Sequence, residues 1–263
     1  MFRGVQMGQT DIGCVGLAYQ PGVFPVSSAV ELPLGFDSAS VASMVLHDLV
    51  QETNPEEFSG VKVLTMFTSA PSNLMTREQI TTLDQIKGVE YRASGIASKV
   101  LERLGAVPVS MPMPDVPEAL QKGLVKGLLT SMEVLKDMNF AEFCPYQTIG
   151  NFQVYTFAVI MNLKAWNSLP QDIQKILDDL APEQALWTGR YMDGHVQNSL
   201  AWVHEKYGTS PVTLSAEDME TARQKLSPLV DEWKTMAESK ALPSEDILTR
   251  IQRLKAKYET ELN

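Results

Sequence analysis

Arg92 is the residue of this sequence whose type and position are best suited to binding chemistry. It lies in GVEYRASG, residues 88–95, where apolar and polar residues alternate, and this alternation predicts a short strand. An arginine guanidinium is a planar fork of donors that matches a carboxylate bidentately. Ligands of open α/β sheets bind at the carboxyl ends of strands, near helix N-termini. The position therefore predicts a binding site for a ligand's carboxylate, or else a structural ion pair with Glu90 or Glu102.

Residues able to catalyse a reaction do not cluster in the sequence. The three histidines, His47, His195 and His204, have no metal-ligand spacing, and HExxH, GxSxG, GxGxxG and P-loop motifs are absent. His47 has apolar neighbours in a predicted helix, which favours a packed side chain. We predict no catalytic residues, no metal site and no cofactor, and hence a binding function. A small α/β enzyme that uses Asp11 or His47 on a carboxylate substrate is the alternative.

The composition limits the partners. The chain has 263 residues, of which 44% are hydrophobic and 21% charged, enough for one large or two modest domains. Its formal charge of −10 repels nucleic acid and anionic lipid, so neither is expected to bind. Anionic small molecules stay possible partners, because a local cation can override the overall field.

Targeting signals and disulfides are not evident. The sequence has no run of about 18 apolar residues that could span a membrane, so no membrane insertion is expected. Its N-terminus, MFRGVQMGQTDIG, lacks the apolar region and cleavage site of a signal peptide, which alone would indicate the cytoplasm. Cys14 and Cys144 are predicted to be buried thiols, with a single disulfide as the alternative.

Strands and helices alternate along the chain with short links, which predicts an α/β fold with parallel sheets. The first strand is TDIGCVGLAY, and a helix at Ser38 to Gln51 precedes the strand VKVLTMF. Ser94 is placed to cap the helix that follows the quoted strand. Further on, NFQVYTFAVIMN predicts a long strand, and a helical stretch interrupted at Pro182 continues to Lys206.

Five segments, in order, resemble the solute-binding proteins of tripartite ATP-independent periplasmic (TRAP) transporters, of the dicarboxylate-binding type. They are FRGVQMGQTDIGCVGLAYQPGVFPVSSAVELPLGF, IKGVEYRASG, LERLGAVPVSMPMPDVPEALQKGLVKG, MNLKAWNSLPQDIQKIL and VTLSAEDMETARQKLSPLVDEWKTMAESKALP. The similarity covers nearly the whole chain. It implies a two-lobed periplasmic solute-binding fold with a ligand cleft between the lobes. Lobe I would comprise residues 1–69 and 158–198, lobe II residues 70–157 and 199–263, and a long helix at 183–206 would span them.

The same resemblance implies roles for individual residues. Arg92 falls on the arginine that forms a salt bridge with the ligand's carboxylate, and Thr130 on a position where many members have an asparagine, with Ser131 as its helper. Met113 stands where many members have an aromatic side chain. Further ligand-binding positions are expected on one strand and in the loop after the first strand: Asn151, Gln153, Tyr155, Tyr19 and Phe24.

Two departures from the family concern the ligand. Lys126 replaces a common acidic residue, and no second arginine is evident before the quoted strand, where Arg77 is the nearest basic residue. One arginine favours a monocarboxylate, or a 2-oxo or hydroxy acid, over a C4-dicarboxylate or sialic acid. A methionine-lined pocket would admit an aromatic or branched tail.

A third departure lies at the N-terminus. Family members begin with a signal peptide and a strand, helix and strand before the region that matches Met1, so the chain is expected to be truncated and to leave an unpaired sheet edge. The implied function is a periplasmic, monomeric receptor that delivers a small organic carboxylate to the membrane subunits of a TRAP transporter. A sensor domain with the same lobes is a further alternative.

Overall fold

The computed structural model describes residues 1–262 and consists of two β-sheets covered by helices. The strands are β1 (Ile12–Gly16), β2 (Val61–Thr68), β3 (Asn73–Thr76), β4 (Glu90–Ala93), β5 (Val107–Ser110), β6 (Gly127–Thr130), β7 (Tyr146–Ile149), β8 (Thr156–Asn162) and β9 (Val212–Thr213). The helices are α1 (Phe2–Gln6), α2 (Ala39–Thr53), α3 (Ile96–Leu104), α4 (Val116–Gln121), α5 (Val134–Asp137), α6 (Leu163–Ser168), α7 (Gln171–Tyr207), α8 (Ala216–Leu226), α9 (Pro228–Ser239) and α10 (Ser244–Leu262). This architecture is the predicted two-lobed α/β fold.

The first sheet has the order β1-β8-β2 and is antiparallel throughout. In the described part of the chain, no strand pairs with the outer edge of β1. Cys14, on that edge strand, is exposed, whereas Cys144 is buried, and both thiols are free. The predicted burial is therefore correct for Cys144 and wrong for Cys14, because Cys14 alternates along β1 with the buried Gly13 and Val15 and so points to the exposed face.

The second sheet is mixed and has the order β5-β4-β6-β3-β7-β9. β4 runs parallel to β5 and β6, but β3 is antiparallel to both β6 and β7. The prediction of parallel sheets is therefore wrong for the first sheet and only partly right for the second. The physical reason lies in the connection to β3. A strand that runs parallel to its neighbour is reached through a long crossover, usually a helix, whereas β3 follows directly from the first sheet.

Two chain segments cross side by side between the sheets. Residues 69–73 leave the first sheet and residues 150–155 return to it. The backbone N–H of Ser69 donates to the carbonyl oxygen of Tyr155 at 2.9 Å, and that of Ser72 to the carbonyl oxygen of Gln153 at 2.7 Å. We call this pair of segments the crossing ribbon. Because residues 151–155 belong to it, β8 begins at Thr156 and is shorter than the predicted strand.

α7 is a single helix of 37 residues that extends along both sheets. It does not break at Pro182, contrary to the prediction, although proline removes one intrahelical hydrogen bond. Beside the proline, the Thr65 hydroxyl donates to the carbonyl oxygen of Ala181 at 2.9 Å. Further along, the Ser199 hydroxyl donates to the carbonyl oxygen of Met132, beside the second sheet, at 2.9 Å. The predicted helix that spans the lobes is therefore present and longer than expected.

α2 and α7 meet at a close backbone contact. Asp193 of α7 accepts hydrogen bonds from the backbone N–H groups of Ala39 and Ser40, at 2.6 and 3.0 Å, and so caps α2. One turn earlier, Gly189 lies so close that a Cβ there would be 2.6 Å from the Cα of Ser40. The glycine is required by this approach of two backbones.

The C-terminal helix α10 packs on α2. Arg250 and Arg253 form salt bridges with Glu52, and the Tyr258 hydroxyl bonds to Asp48. The predicted division into lobes places residues 199–263 with the second sheet and stays a prediction, but α10 lies against the first.

Candidate functional site

β4 and α3 meet at a turn that brings the second sheet close to the loop after β1. The turn residue Gly95 has φ 57° and ψ −135°, a conformation that favours glycine, and a Cβ there would lie 2.9 Å from the Cβ of Ala18. Gly95, not the predicted Ser94, is therefore the N-cap of α3. The Ser94 hydroxyl is buried and has no hydrogen-bond partner in the described structure.

A cavity lies between the two sheets at this turn. Its volume is about 50 Å³, and it is partly open to solvent. Nine residues line it: Gly16, Ala18, Tyr19, Arg92, Met113, Thr130, Tyr155, Thr156 and Phe157. A wider, mostly apolar groove opens on the other side of Ala18, against the start of α3 and against α9. The cavity and the groove together form a cleft between the lobes.

Arg92 is the only charged residue of this cavity lining, and it is 1% exposed. It donates from Nε and Nη2 to the carbonyl oxygen of Met111, at 3.2 and 2.8 Å, and from Nη2 to the Tyr19 hydroxyl at 3.2 Å. Within residues 1–262, neither N–H of its Nη1 has a partner. The guanidinium is thus held in place by neutral acceptors.

No carboxylate of the described residues forms a salt bridge with Arg92. Glu90 and Glu102, the alternatives considered for a structural ion pair, are both exposed. A buried cation without an anionic partner is costly. The geometry therefore favours a carboxylate supplied by a ligand over a structural ion pair.

The free donors converge on one end of the cavity. The Met111 carbonyl occupies the Nε–Nη2 edge of the guanidinium, so the Nη1 end is the one open to a ligand. The Tyr19 hydroxyl accepts from Arg92 and keeps its own proton to donate. The Thr130 hydroxyl, 5% exposed, has no partner among the described side chains and backbone groups. An anion placed there would meet donors from three residues.

The hydroxyls of Tyr155 and Thr156 are already committed as donors. Tyr155 donates to the carbonyl oxygen of Leu129 at 3.2 Å, and burial raises its pKa, so it stays protonated. Thr156 donates from both Oγ1 and its backbone N–H to Oε1 of Glu31, at 2.7 and 3.1 Å. Glu31 is 2% exposed, and burial raises its pKa to about 7, although the bonds from Thr156 lower it.

The rest of the wall is apolar. Met113 and Phe157 face the cavity with Gly16 and Ala18. The Phe157 ring stacks on that of Phe67, with centroids 5.1 Å apart and an interplanar angle of 9°. The cavity thus combines a donor-rich end with a wall suited to a hydrocarbon or aromatic group.

Five of the nine predicted site residues line this cavity: Arg92, Tyr19, Met113, Thr130 and Tyr155. The structure places the other four elsewhere. Phe24 packs between the rings of Phe2 and Phe58 and lines the adjoining groove rather than the cavity. The Ser131 hydroxyl donates to Glu133 and so does not assist Thr130.

The last two predicted residues, Asn151 and Gln153, belong to the crossing ribbon. Asn151 donates to Asp37 at 3.2 Å, and Gln153 donates to the Ser72 hydroxyl at 2.9 Å. The resemblance implies pocket groups on this strand, and the sequence pattern predicts that the strand begins at Asn151. The strand in fact begins at Thr156, so its cavity residues are Tyr155, Thr156 and Phe157.

Sequence reasoning missed four lining residues, Gly16, Ala18, Thr156 and Phe157. Gly16 and Ala18 lie next to the predicted Tyr19, and Thr156 and Phe157 follow the predicted Tyr155. Their closeness in sequence to the predicted Tyr19 and Tyr155 was the only available signal. Glu31 had no signal, because its contact with Thr156 joins residues 125 positions apart.

The residues considered for catalysis lie outside the cavity. His47 is buried, as predicted, and burial lowers its pKa. Asp11 is exposed in the loop before β1. Among residues 1–262, no group of three His, Cys, Asp or Glu side chains is placed to hold a metal ion. No helix in this range is long and apolar enough to cross a membrane.

A family model described as "DctP: Bacterial extracellular solute-binding protein, family 7" matches residues 1–236. A curated relative, the C4-dicarboxylate-binding periplasmic protein DctP of Rhodobacter capsulatus, is 26% identical over 199 residues, which are 72% of this chain and 59% of that protein. The chain spans only about half the length of the curated relatives it matches, between 47% and 59%.

Two solved structures are similar over almost the whole chain. A TRAP periplasmic solute-binding protein from Desulfovibrio salexigens DSM2638 is 55% identical, with a TM-score of 0.90, over 100% of this chain and 82% of that one. It is an open complex with the C-terminus of a symmetry mate in its ligand-binding site. A marine metagenome TRAP solute-binding protein specific for aromatic acids, in complex with 3-hydroxybenzoate, is 27% identical, with a TM-score of 0.91, over 97% and 82% of the chains.

Proposed function

The chain belongs to the bacterial extracellular solute-binding protein family 7, and we propose that it is the receptor of a TRAP transporter for a small organic monocarboxylate. The observation that carries this proposal is Arg92, a buried guanidinium with free donors and no acidic partner within residues 1–262. The ligand would bind in the cavity between the two sheets.

Binding follows from the donors on the cavity wall. The carboxylate leaves water and accepts hydrogen bonds from the Nη1 end of Arg92 and from the hydroxyls of Tyr19 and Thr130. A hydrogen bond to a charged group is worth about 1.5–3 kcal/mol, so several such bonds offset the desolvation of both charges. Since Tyr19 follows a strand of the first sheet and Arg92 lies on the second, the bound carboxylate would favour the closed arrangement of the lobes.

The cavity favours a monocarboxylate with an aromatic or branched body. Arg92 is the one cation of the cavity lining, and Lys99 of the adjoining groove is already paired with Glu232 at 3.0 Å, so a second carboxylate would have no free cationic partner. Met113 and Phe157 offer apolar contacts, and the groove beyond Ala18 leaves room for the body of the ligand. Two relatives support this class. The protein from D. salexigens holds a polypeptide C-terminus, which ends in a carboxylate, and the metagenome protein is specific for aromatic acids.

The receptor would catalyse no reaction. It would bind its ligand in the periplasm as a monomer and deliver it to the membrane subunits of the transporter. The periplasmic location is supported by the family's description as extracellular and by the periplasmic relative of R. capsulatus.

Thermal unfolding in the presence of organic acids tests the proposal. Benzoate, phenylacetate, 3-hydroxybenzoate and succinate would each be compared with the corresponding amide at equal concentration. A ligand that binds only the folded state raises the midpoint, so we expect the monocarboxylates to raise it and the amides to have no effect. A midpoint that no acid shifts, or one that amides raise equally, would overturn the proposal. A larger shift with succinate than with any monocarboxylate would overturn the monocarboxylate class.

A further inference from the structure

We propose that this cavity selects carboxylic acids that carry a hydrogen-bond donor on their body, hydroxy acids above all, because Thr156 and Tyr155 present only acceptors to a ligand. This inference rests on the proposed function and deepens it. It assigns a selectivity role to Thr156, which lines the cavity, and to Glu31, which lies behind it.

The direction of the Thr156 hydroxyl follows from its contact with Glu31. Oγ1 of Thr156 lies 2.7 Å from Oε1 of Glu31, and the backbone N–H of Thr156 donates to the same oxygen at 3.1 Å. Because Oε1 of Glu31 accepts from the backbone N–H of Thr156, it directs its lone pairs, not a proton, toward Thr156. The Thr156 hydroxyl must therefore donate to Glu31, and only its own lone pairs remain for a ligand.

This direction does not depend on whether Glu31 is ionised. When Glu31 takes up a proton, the proton goes to Oε2, since Oε1 already accepts two hydrogen bonds. Oε2 has no hydrogen-bond partner among the described residues, so this oxygen is free to hold the proton. Oε1 stays an acceptor in both states, and Thr156 presents the same lone pairs to the cavity.

Tyr155 presents an acceptor for the same kind of reason. Its hydroxyl donates to the carbonyl oxygen of Leu129 at 3.2 Å, a group that can only accept. Tyr155 is 7% exposed and lines the cavity, so an additional partner for its oxygen must come from inside the cavity or from a neighbouring group. The cavity thus has donors at the Arg92 end and acceptor oxygens on Tyr155 and Thr156.

The two kinds of group on the wall discriminate between ligands of equal size. A ligand hydroxyl or N–H can donate to Thr156 or Tyr155. A keto, ether or second carboxylate oxygen would instead place its lone pairs against those of the Thr156 and Tyr155 oxygens. The buried acceptors would then stay unpaired, and this costs more free energy than one hydrogen bond contributes. Among the acids that the sequence left open, the wall therefore favours hydroxy acids over 2-oxo acids.

Two matched pairs of ligands test the proposal. Mandelate has a hydroxyl where phenylglyoxylate has a keto group. In the second pair, 3-hydroxybenzoate has a hydroxyl donor where 3-methoxybenzoate has an ether oxygen. Benzoate is the parent without either. In at least one pair, we expect calorimetric titration to give a dissociation constant that is at least about fivefold lower for the hydroxy acid. In neither pair should the oxo or methoxy acid bind more tightly than the hydroxy acid.

Variants assign the preference to a residue. Thr156→Val removes the hydroxyl at nearly constant shape and is expected to reduce the preference to below about twofold. Thr156→Ser keeps an oxygen bonded to Glu31 and is the matched control that retains the preference. Tyr155→Phe, which removes the second acceptor, provides a further variant if valine prevents folding, and should weaken the preference about twofold or more.

The outcomes separate this inference from the proposed function. If benzoate and the other acids bind but neither pair prefers the hydroxy acid, the inference is wrong and the receptor function stands. If the preference survives both Thr156→Val and Tyr155→Phe, these side chains do not produce it and the inference is equally wrong. If no acid binds, the proposed function fails, and the inference fails with it.

Discussion

Arg92 of β4 donates a hydrogen bond of 3.2 Å to the hydroxyl of Tyr19, which follows β1 of the other sheet. The bond joins the two lobes at the wall of the cavity between them. Tyr19 is 49% exposed while Arg92 is 1% exposed, so the tyrosine is the solvated partner. A carboxylate that binds at the Nη1 end of Arg92 would be contacted by both lobes through these two residues.

Replacing Arg92 should abolish most of the binding. Loss of one partner from a buried charged pair costs about 3–5 kcal/mol, so Arg92→Ala is expected to weaken binding of the best acid at least about a hundredfold. Calorimetric titration measures this. Arg103→Ala, at an arginine on α3 that pairs with Glu232, is the matched control. A loss below about fivefold in Arg92→Ala would mean that the arginine is structural.

Tyr19→Phe isolates the hydroxyl that Arg92 contacts. Because this hydroxyl has a free proton for the ligand, its removal should weaken acid binding about three- to tenfold. The midpoint of unfolding without ligand should hardly change, since the ring is half exposed. Tyr191→Phe, at an exposed tyrosine of α7 outside the cavity, should leave the affinity unchanged. Equal affinities of Tyr19→Phe and the parent protein would contradict the role given to Tyr19.

Glu31 should make the stability depend on pH. Burial raises its pKa from 4.5 to about 7 in the folded state. Between these two pH values the folded state holds a proton that the unfolded state has released, so raising the pH disfavours folding. The free energy of unfolding should fall by up to about 3 kcal/mol from this group between about pH 4.5 and pH 7, and then level off.

Glu31→Gln is the control for this pH dependence, because the amide keeps an acceptor for Thr156 and does not titrate. Urea unfolding of both proteins at pH 5 and pH 8 gives the comparison. Only the parent protein should lose the Glu31 contribution at the higher pH. An equal pH dependence in both proteins would show that Glu31 does not titrate in this range.

Two glycines of α7 provide a matched test of its contact with α2. A Cβ on Gly189 would meet backbone atoms of Ser40 and Ala39 at 2.6 to 2.9 Å, and these atoms cannot move independently. Gly189→Ala is therefore expected to destabilise the protein by about 1–3 kcal/mol. Gly194→Ala has no heavy atom within 4 Å of the new Cβ and should stabilise it by about 0.5–1 kcal/mol. Chemical denaturation measures both changes, and a neutral Gly189→Ala would argue against the close contact.

Short-range features of the sequence predicted Arg92 and the elements beside it, whereas the expected roles of Tyr19, Met113, Thr130 and Tyr155 came from the resemblance to the family. Alternation around Arg92 predicted β4, helical spacing predicted α3 after it, and the arginine's place at the end of the strand marked the cavity. The structure adds that Arg92 has no acidic partner among the described residues. No local sequence pattern could distinguish an arginine that binds a ligand from one in a structural ion pair.

Long-range packing explains what the sequence did not predict. Phe24 lines the groove and not the cavity, because its ring packs against Phe2 and Phe58, which lie far from it in sequence. The direction of β3 depends on its entry from the other sheet. The contact between Glu31 and Thr156 joins distant segments, so neither residue could be recognised by its neighbours in sequence.

The crossing ribbon is held by bonds within itself. Asn73 Oδ1 accepts from the backbone N–H groups of Gly150 and Asn151, at 2.7 and 2.9 Å, and Gln153 bonds to Ser72. Rotation of one lobe against the other would therefore twist the ribbon without exchanging these bonds. If the lobes close on a ligand as proposed, the torsional stiffness of the ribbon would help to set the fraction of ligand-free protein that is closed, and the apparent affinity would scale with that fraction. Selection could in this way retune the affinity for a ligand through residues that never touch it.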